Sequence, residues 1–412
     1  MDTRTPRSWV ALVLLLGTIV RLAPLVLPFE FSGPDSVTYL EPAQGLLERG
    51  SYSDASGAPS AVRPPGYPLF LALCLFVGQG SPFFVRLVQA ALGGLAAAGV
   101  LLVLWRTTRP RWAIAGGLLC ALDPIAVGQS PWILREGLLL ALLTGLVWTW
   151  TCLRGRRRVV LAGLLLAALT LTHQLYVLLG GFLYLVHASS VGRRALGRGL
   201  LPWVGMGLMV LLAAGLWARR VERVTGHLSL TATENPVPAR ELYLTTACPN
   251  LWLNGDPVTG FQADAWTEEA LLLRERGLAE TKAEFYRRWR ANWRQHPLRT
   301  FSRVLRQNLW YWLEIPGAIR LVEHPRLFVA RWLLLPFHWV RLLCAGAGLL
   351  YLLRCGRWRR HSATLAALAF LAAAPALLYP VPRYLGPAAP LLDLLAAIGF
   401  MEAWDRRRGR VE

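Results

Sequence analysis

Asp35 stands a few positions past the end of an apolar run, in GPDSVTYLEP at residues 33–42, with Tyr39 and Glu41 close behind. A single carboxylate within hydrogen-bond reach of an alcohol can take its proton as that oxygen attacks an electrophilic carbon. A second acid, Glu136, follows Arg135 in SPWILREGLLLAL and leads into a wholly apolar stretch. Negative charge developing at such a site is stabilised by cations, and Arg63, Arg135 and Arg383 lie at comparable places, with Arg303 and Arg306 further along. His173 joins two apolar runs, and Tyr67 and Tyr384 open two others. Arg21 lies inside the first run, toward its outer third, where a charge is costly and turns to a cavity or a partner. Each residue also has a plainer role. Asp35 suits a helix cap, Glu136 suits a helix start, His173 suits an interhelical donor, and Arg383 suits an interfacial anchor.

The elements that must position these groups are hydrophobic. Hydrophobic residues make up 55% of the 412 and charged ones only 17%, with a net charge of +20. A soluble domain carries roughly 25% charged residues. Apolar runs fall near 9–29, 82–105, 112–128, 133–153, 159–172, 174–190, 199–217, 331–353, 362–379 and 384–402. An eleventh, at 67–79, would reach only about 20 Å against the ~30 Å of a hydrocarbon core. Reading it as re-entrant or interfacial leaves about ten spans. Five arginine clusters, RTTRPR, RGRRR, RRALGR, RCGRWRR and DRRRGR, then share one side with both termini. By the positive-inside rule that side is cytoplasmic, and the positive charge needs no nucleic acid. The expected fold is all-α and polytopic, and the first run reads as an uncleaved span rather than a signal peptide. Cys248 alone of the six cysteines lies in a polar segment and no CxxC pair occurs, so neither a disulfide framework nor a zinc cluster is expected.

This topology divides the chain into a membrane module at 1–217 with an outer first loop at 30–81, an outer-face domain at 218–330, and C-terminal spans at 331–412. Most candidate residues then fall near one depth, at the outer face. Within the outer domain, Phe285, Trp289 and Trp293 recur every fourth residue. After Pro297 the pattern continues with Leu298, Phe301, Leu305, Leu309 and Trp312. Two readings stand: helices lying in the membrane interface, or helices packed on the domain's own core. In RPPGYP the prolines dictate an extended backbone, and Gly66 reads as a turn residue.

Taken together the segments resemble the GT-C superfamily of membrane glycosyltransferases, nearest its protein-O-mannosyltransferase and aminoarabinose-transferase branch. GPDSVTYLEPAQGLLERGSY resembles the first-loop signature and RPPGYPLFLAL the segment after it. VRLVQAALGGLAAAGVLLVLWR, AIAGGLLCALDP and SPWILREGLLLAL resemble the following helices and the second acidic position. LWLNGDP, HPLRTFSRVLRQNLWYW and PRYLGPAAPLLDLLAAIG complete the family order. Two departures stand out. Ser36 follows Asp35 where the protein mannosyltransferases carry an Asp-Glu pair, and the fifth-to-sixth span junction reads THQLY where relatives often have an Arg before a Pro.

The resemblance implies a GT-C-like bundle whose outer face transfers a sugar from a polyprenyl-phosphate donor, with inversion, to an acceptor hydroxyl on protein, lipid or glycan. Asp35 would be the general base, and Glu136 would position the acceptor or an arginine. Tyr39, Arg63, Tyr67, Arg135, His173, Arg383 and Tyr384 would hold substrate. Partial desolvation would raise the Asp35 pKa. A divalent metal bridged by Asp35, Glu136 and His173 is a further possibility. The competing functions are a glycolipid transporter or flippase, disfavoured because no inverted repeat is visible, and a non-catalytic lipid-binding relative.

Overall fold

Long runs of Leu, Ala, Val and Gly leave each backbone N–H no partner in lipid except a carbonyl of its own segment, so they fold as helices. The computed structural model describes residues 7–26, 34–191, 200–226, 228–230, 237–247, 257–313, 325–373 and 382–407. In order the helices are α1 (Arg7–Leu22), α2 (Pro34–Arg49), α3 (Gly66–Val77), α4 (Pro82–Thr107), α5 (Pro110–Leu122), α6 (Pro124–Gln129), α7 (Glu136–Cys152), α8 (Gly155–Thr172), α9 (Leu179–Val191) and α10 (Leu200–Thr225). They continue with α11 (Val237–Ala247), α12 (Pro257–Gln295), α13 (Pro297–Leu313), α14 (Pro325–Arg354), α15 (Ser362–Ala373) and α16 (Ala389–Arg407). Proline opens many of them, where its missing N–H costs nothing and its fixed φ suits the first turn. Among the described residues, six helices are long and apolar enough to cross a membrane. The chain is an all-α membrane protein across its described residues.

The chain forms two compact units. The first comprises residues 1–231, 336–370 and 386–412, and the second 232–335 and 371–385. In the first unit α4 is the central post, packed on α1, α5 and α7, while α8 joins α7 to α10 and α16 closes against α5. Small residues set the spacing. A Cβ on Gly94 would lie 2.5 Å from the Leu14 carbonyl oxygen, and one on Gly399 would overlap the Cys344 carbonyl of α14. Both helix pairs therefore approach to backbone contact. α3 has 12 residues, a rise of about 18 Å, too short to cross a bilayer unaided.

Gly66 departs from the turn expected of it. A Cβ there would meet Thr172 Oγ1 at 2.7 Å and the Leu171 carbonyl at 2.8 Å. Its small size lets the start of α3 seat against the end of α8. Helix α10 also runs two turns past residue 217, because Arg220 gains two acceptors in the first loop: Ser60 O at 2.6 Å and Tyr52 O at 2.7 Å.

The described residues of the second unit are almost all helical. α11 packs on α12 and α13 around buried Ala239, Leu272 and Phe285, flanked by Tyr243 and Tyr286. α12 is broken at Gly277, whose φ of 74° is a left-handed value that suits glycine. Cys248 and the LWLNGDP segment up to residue 256 lie outside the described residues.

Candidate active site

Consecutive packed helices of the first unit alternate in direction, which puts the end of α1, the starts of α4 and α7, and the end of α8 at one end of the bundle. The arginine-rich junctions after α4, α7 and α14 fall at the other, where Arg111 and Arg109 pair with Asp405 at 3.0 and 3.7 Å. Tyr67, Arg135, Glu136 and His173 fall at the first end, next to the first loop that carries Asp35, Tyr39 and Arg63.

Asp35 lies in the first turn of α2, inside the helix rather than at its cap. Its Oδ1 accepts from Arg63 Nη2 at 2.8 Å, while Arg63 Nε donates to Thr38 Oγ1 at 2.9 Å. Thr38 Oγ1 in turn donates to the Asp35 carbonyl at 2.7 Å. The Arg63 guanidinium also covers the Tyr39 ring at 4.8 Å, and its backbone carbonyl accepts from the Tyr52 hydroxyl at 2.8 Å. Arg63 is thus fixed on four sides, and its charge is spent first on Asp35.

Behind this pair the site becomes aromatic, then polar. Tyr39 meets Tyr67 edge-on at 5.0 Å. The Tyr67 hydroxyl donates to Gln89 Oε1 at 2.6 Å, and Gln89 Nε2 donates to the carbonyls of Trp132 (2.8 Å) and Ser130 (3.1 Å). Gln89 therefore ties α3 and α4 to the segment that delivers Arg135 and Glu136, both buried. Burial raises the pKa of the Tyr39 phenol, opposed by Arg135 and Arg63 and reinforced by Glu136 and Asp35. All four charged groups, Asp35, Arg63, Arg135 and Glu136, are thus within electrostatic reach of one hydroxyl. Tyr176 also lies within electrostatic reach of Arg135 and Glu136.

His173 ends α8. Its Nδ1 accepts from the Leu175 N–H at 3.3 Å, capping the short helical turn 174–178, and its ring lies 5.9 Å from that of Tyr176. An accepting Nδ1 leaves the proton on Nε2. Among the described residues no three His, Cys, Asp or Glu side chains come close enough to hold a metal ion, so Asp35, Glu136 and His173 are not assembled as a ligand set. Arg383 and Tyr384 fall in a short helical turn, Pro382–Ala388, and their side chains lie outside the described residues. Arg303 and Arg306 belong to the second unit, where Arg303 Nη1 donates to the Thr246 carbonyl at 3.1 Å.

Arg21 stands apart from the Asp35 cluster. Buried in α1, it donates to the carbonyls of Ala121 (2.9 Å), Cys120 (3.0 Å) and Gly17 (3.0 Å). Its positive charge thus satisfies the last-turn carbonyls of α5. Next in sequence, Asp123 Oδ1 accepts from the Ile125 N–H at the start of α6, and its Oδ2 takes Arg341 Nη1 at 2.6 Å. Arg341 also reaches His338 Nδ1 at 2.7 Å and lies 3.8 Å from Asp393. Sequence reasoning named Arg21 but missed Asp123, His338, Arg341 and Asp393, along with Gln89 and Arg220. The cluster's only signal was the presence of charged residues inside apolar runs such as LLDLLAA and HWVRLL.

No family model matches the sequence, and no curated protein matches it. Solved structures do. The chain is similar to the archaeal oligosaccharyltransferase AglB from Archaeoglobus fulgidus in complex with an inhibitory peptide and a dolichol-phosphate, with a TM-score of 0.52 at 12% identity. That likeness covers 97% of this chain and 51% of the other. The apo form of the same oligosaccharyltransferase gives a TM-score of 0.54 at 12% identity, covering 98% and 52%. The chain therefore spans about half the length of these structures, and at this identity what it has in common with them is the GT-C fold.

Proposed function

We propose that the protein is an inverting glycosyltransferase that moves a sugar from a polyprenyl-phosphate donor to an acceptor hydroxyl at the extracytoplasmic face. The observation that carries this reading is the partly exposed Asp35 carboxylate, held by Arg63 next to Tyr39, whose hydroxyl also feels the charges of Arg135 and Glu136. The dolichol-phosphate and peptide in the archaeal structure supply the analogy for a lipid-borne donor and a separate acceptor. Asp35 takes the proton of the acceptor hydroxyl as its oxygen bonds to the anomeric carbon. The bond from that carbon to phosphate oxygen breaks, and the electron pair leaves with the polyprenyl phosphate. Arg135 and Arg63 provide positive charge for the departing phosphate, and Glu136 orients Arg135 or the acceptor. A phosphate leaving group needs no general acid. No step is assigned to a metal. Both termini and the arginine-rich junctions are placed in the cytoplasm by their charge.

The test uses purified protein in proteoliposomes, radiolabelled polyprenyl-phosphate sugars and a panel of protein, lipid and glycan acceptors. Transfer is expected, falling by about 10²–10⁴-fold in Asp35→Asn. Undiminished transfer in that variant removes Asp35 from the mechanism. Movement of intact glycolipid across the vesicle without transfer makes the protein a flippase.

A further inference from the structure

Helix α13 wears its amphipathicity inside out. Leu298, Phe301, Leu305 and Leu309 fall on one stripe at helical spacing, and all are open, from 56% exposed at Leu305 to 83% at Leu298. The opposite face is polar yet packed: Thr300 and Gln307 are 1% and 3% exposed. Thr300 Oγ1 donates to the Asn292 carbonyl at 2.8 Å, and Arg303 donates to the Thr246 carbonyl. A helix washed by water on its free side would show the reverse pattern. The preceding stripe makes the contrast, because Phe285, in the same basic and aromatic stretch, is fully buried in the core of the unit.

Charge selects the occupant. At 100° per residue, Arg299 and Arg306 sit one above the other along a single edge of the stripe, and both are exposed. Arg294 is exposed just before the helix. Long cationic side chains bordering an apolar stripe suit a bilayer surface, where the leucines enter the acyl boundary and the guanidinium groups meet lipid phosphates. A protein partner would need a complementary acidic border, whereas a membrane is already present around this chain. We infer that α13 is an interfacial helix, its Leu298–Phe301–Leu305–Leu309 face inserted into the leaflet beside the second unit and its Arg299–Arg306 edge bound to lipid phosphate. This inference is independent of the transferase reading and of which side of the membrane is cytoplasmic.

Nitroxide labels at positions 301 and 305 test it, in full-length, cysteine-free protein reconstituted into phosphatidylcholine vesicles with a minor fraction of phosphatidylglycerol. Oxygen should reach the labels several-fold better than a water-soluble nickel chelate, and Arg299→Gln with Arg306→Gln should move both labels toward water. Ready access by the nickel chelate puts the face in water and overturns the inference. Exclusion of both reagents means that protein covers the face, whether the first unit or a second copy, and also overturns it. Labels that keep their depth in the double variant refute the phosphate contact. Should the cysteine-free chain fail to fold, a photoreactive side chain at position 305 of the native chain is expected to capture lipid, and capture of protein alone is the contrary result.

Discussion

Two carboxylate–guanidinium pairs divide the first unit between them. Asp35 and Arg63 meet at 2.8 Å with side chains 28% and 23% exposed, while Asp123 and Arg341 meet at 2.6 Å with side chains 0% and 1% exposed. The bond is nearly the same, but the surroundings differ. Water screens the first pair and can replace either partner, so it adds little to the fold. The second sits among packed helices, where a lone charge has no substitute solvent, so each member depends on the other. The charges of the first pair are thus within reach of solvent. Charge in the interior of the bundle fastens α1, α5, α6, α14 and α16 together.

The largest effect expected of this contrast is at Arg341. Replacing it with Leu strands Asp123 and Asp393 in the interior and should cost about 3–5 kcal/mol, measured by denaturation in detergent micelles. A loss below about 1 kcal/mol would place the pair with the screened class and break the comparison.

Next comes His361, buried in the turn between α14 and α15, with burial driving its pKa from 6.5 down to about 4. Its neutral form is favoured in the folded chain, so the unfolded chain binds the proton more tightly. Stability is therefore held above pH 6.5 and drains away as the pH falls toward 4, by up to about 3 kcal/mol. Melting curves across that range should show the loss, and His361→Leu should flatten it. A profile as steep in the variant would assign the effect elsewhere.

Glu269 should act in the opposite sense. Burial raises its pKa despite the ion pair with Arg240, so its protonated form is favoured in the folded chain. The second unit should weaken modestly as the pH rises above about 4.5, and Glu269→Gln should remove that part of the dependence. A variant with the parent's pH profile would contradict the assignment.

The smallest change in stability is expected from Arg63→Met, under about 1 kcal/mol, because the pair it breaks is partly in water. Transfer activity should nonetheless fall sharply, since Asp35 loses the group that fixes it. A variant with intact activity would reduce Arg63 to a surface ion pair.

The sequence marked Asp35, Arg63 and Glu136 because polar groups beside apolar runs are few and fall at helix ends. It could not show that Arg63 pairs with Asp35, because that depends on how the first loop closes over α2. The Asp123–Arg341 bond joins residues 218 positions apart, a distance over which periodicity is silent. Gln89 looked like one more residue of an apolar helix until Tyr67 and two carbonyls converged on it. The two aromatic stripes of the second unit read alike in sequence and parted only in three dimensions, Phe285 turning inward and Phe301 outward.

Chain composition by itself determined a membrane-embedded helical bundle, since hydrocarbon offers the backbone no partner but itself and hydrophobic length is read directly from residue order. Which charges face one another, which glycines let helices touch, and which face of α13 remains open were decided by tertiary packing. Those are distances between residues remote along the chain, set by the joint fit of many side chains rather than by any local pattern.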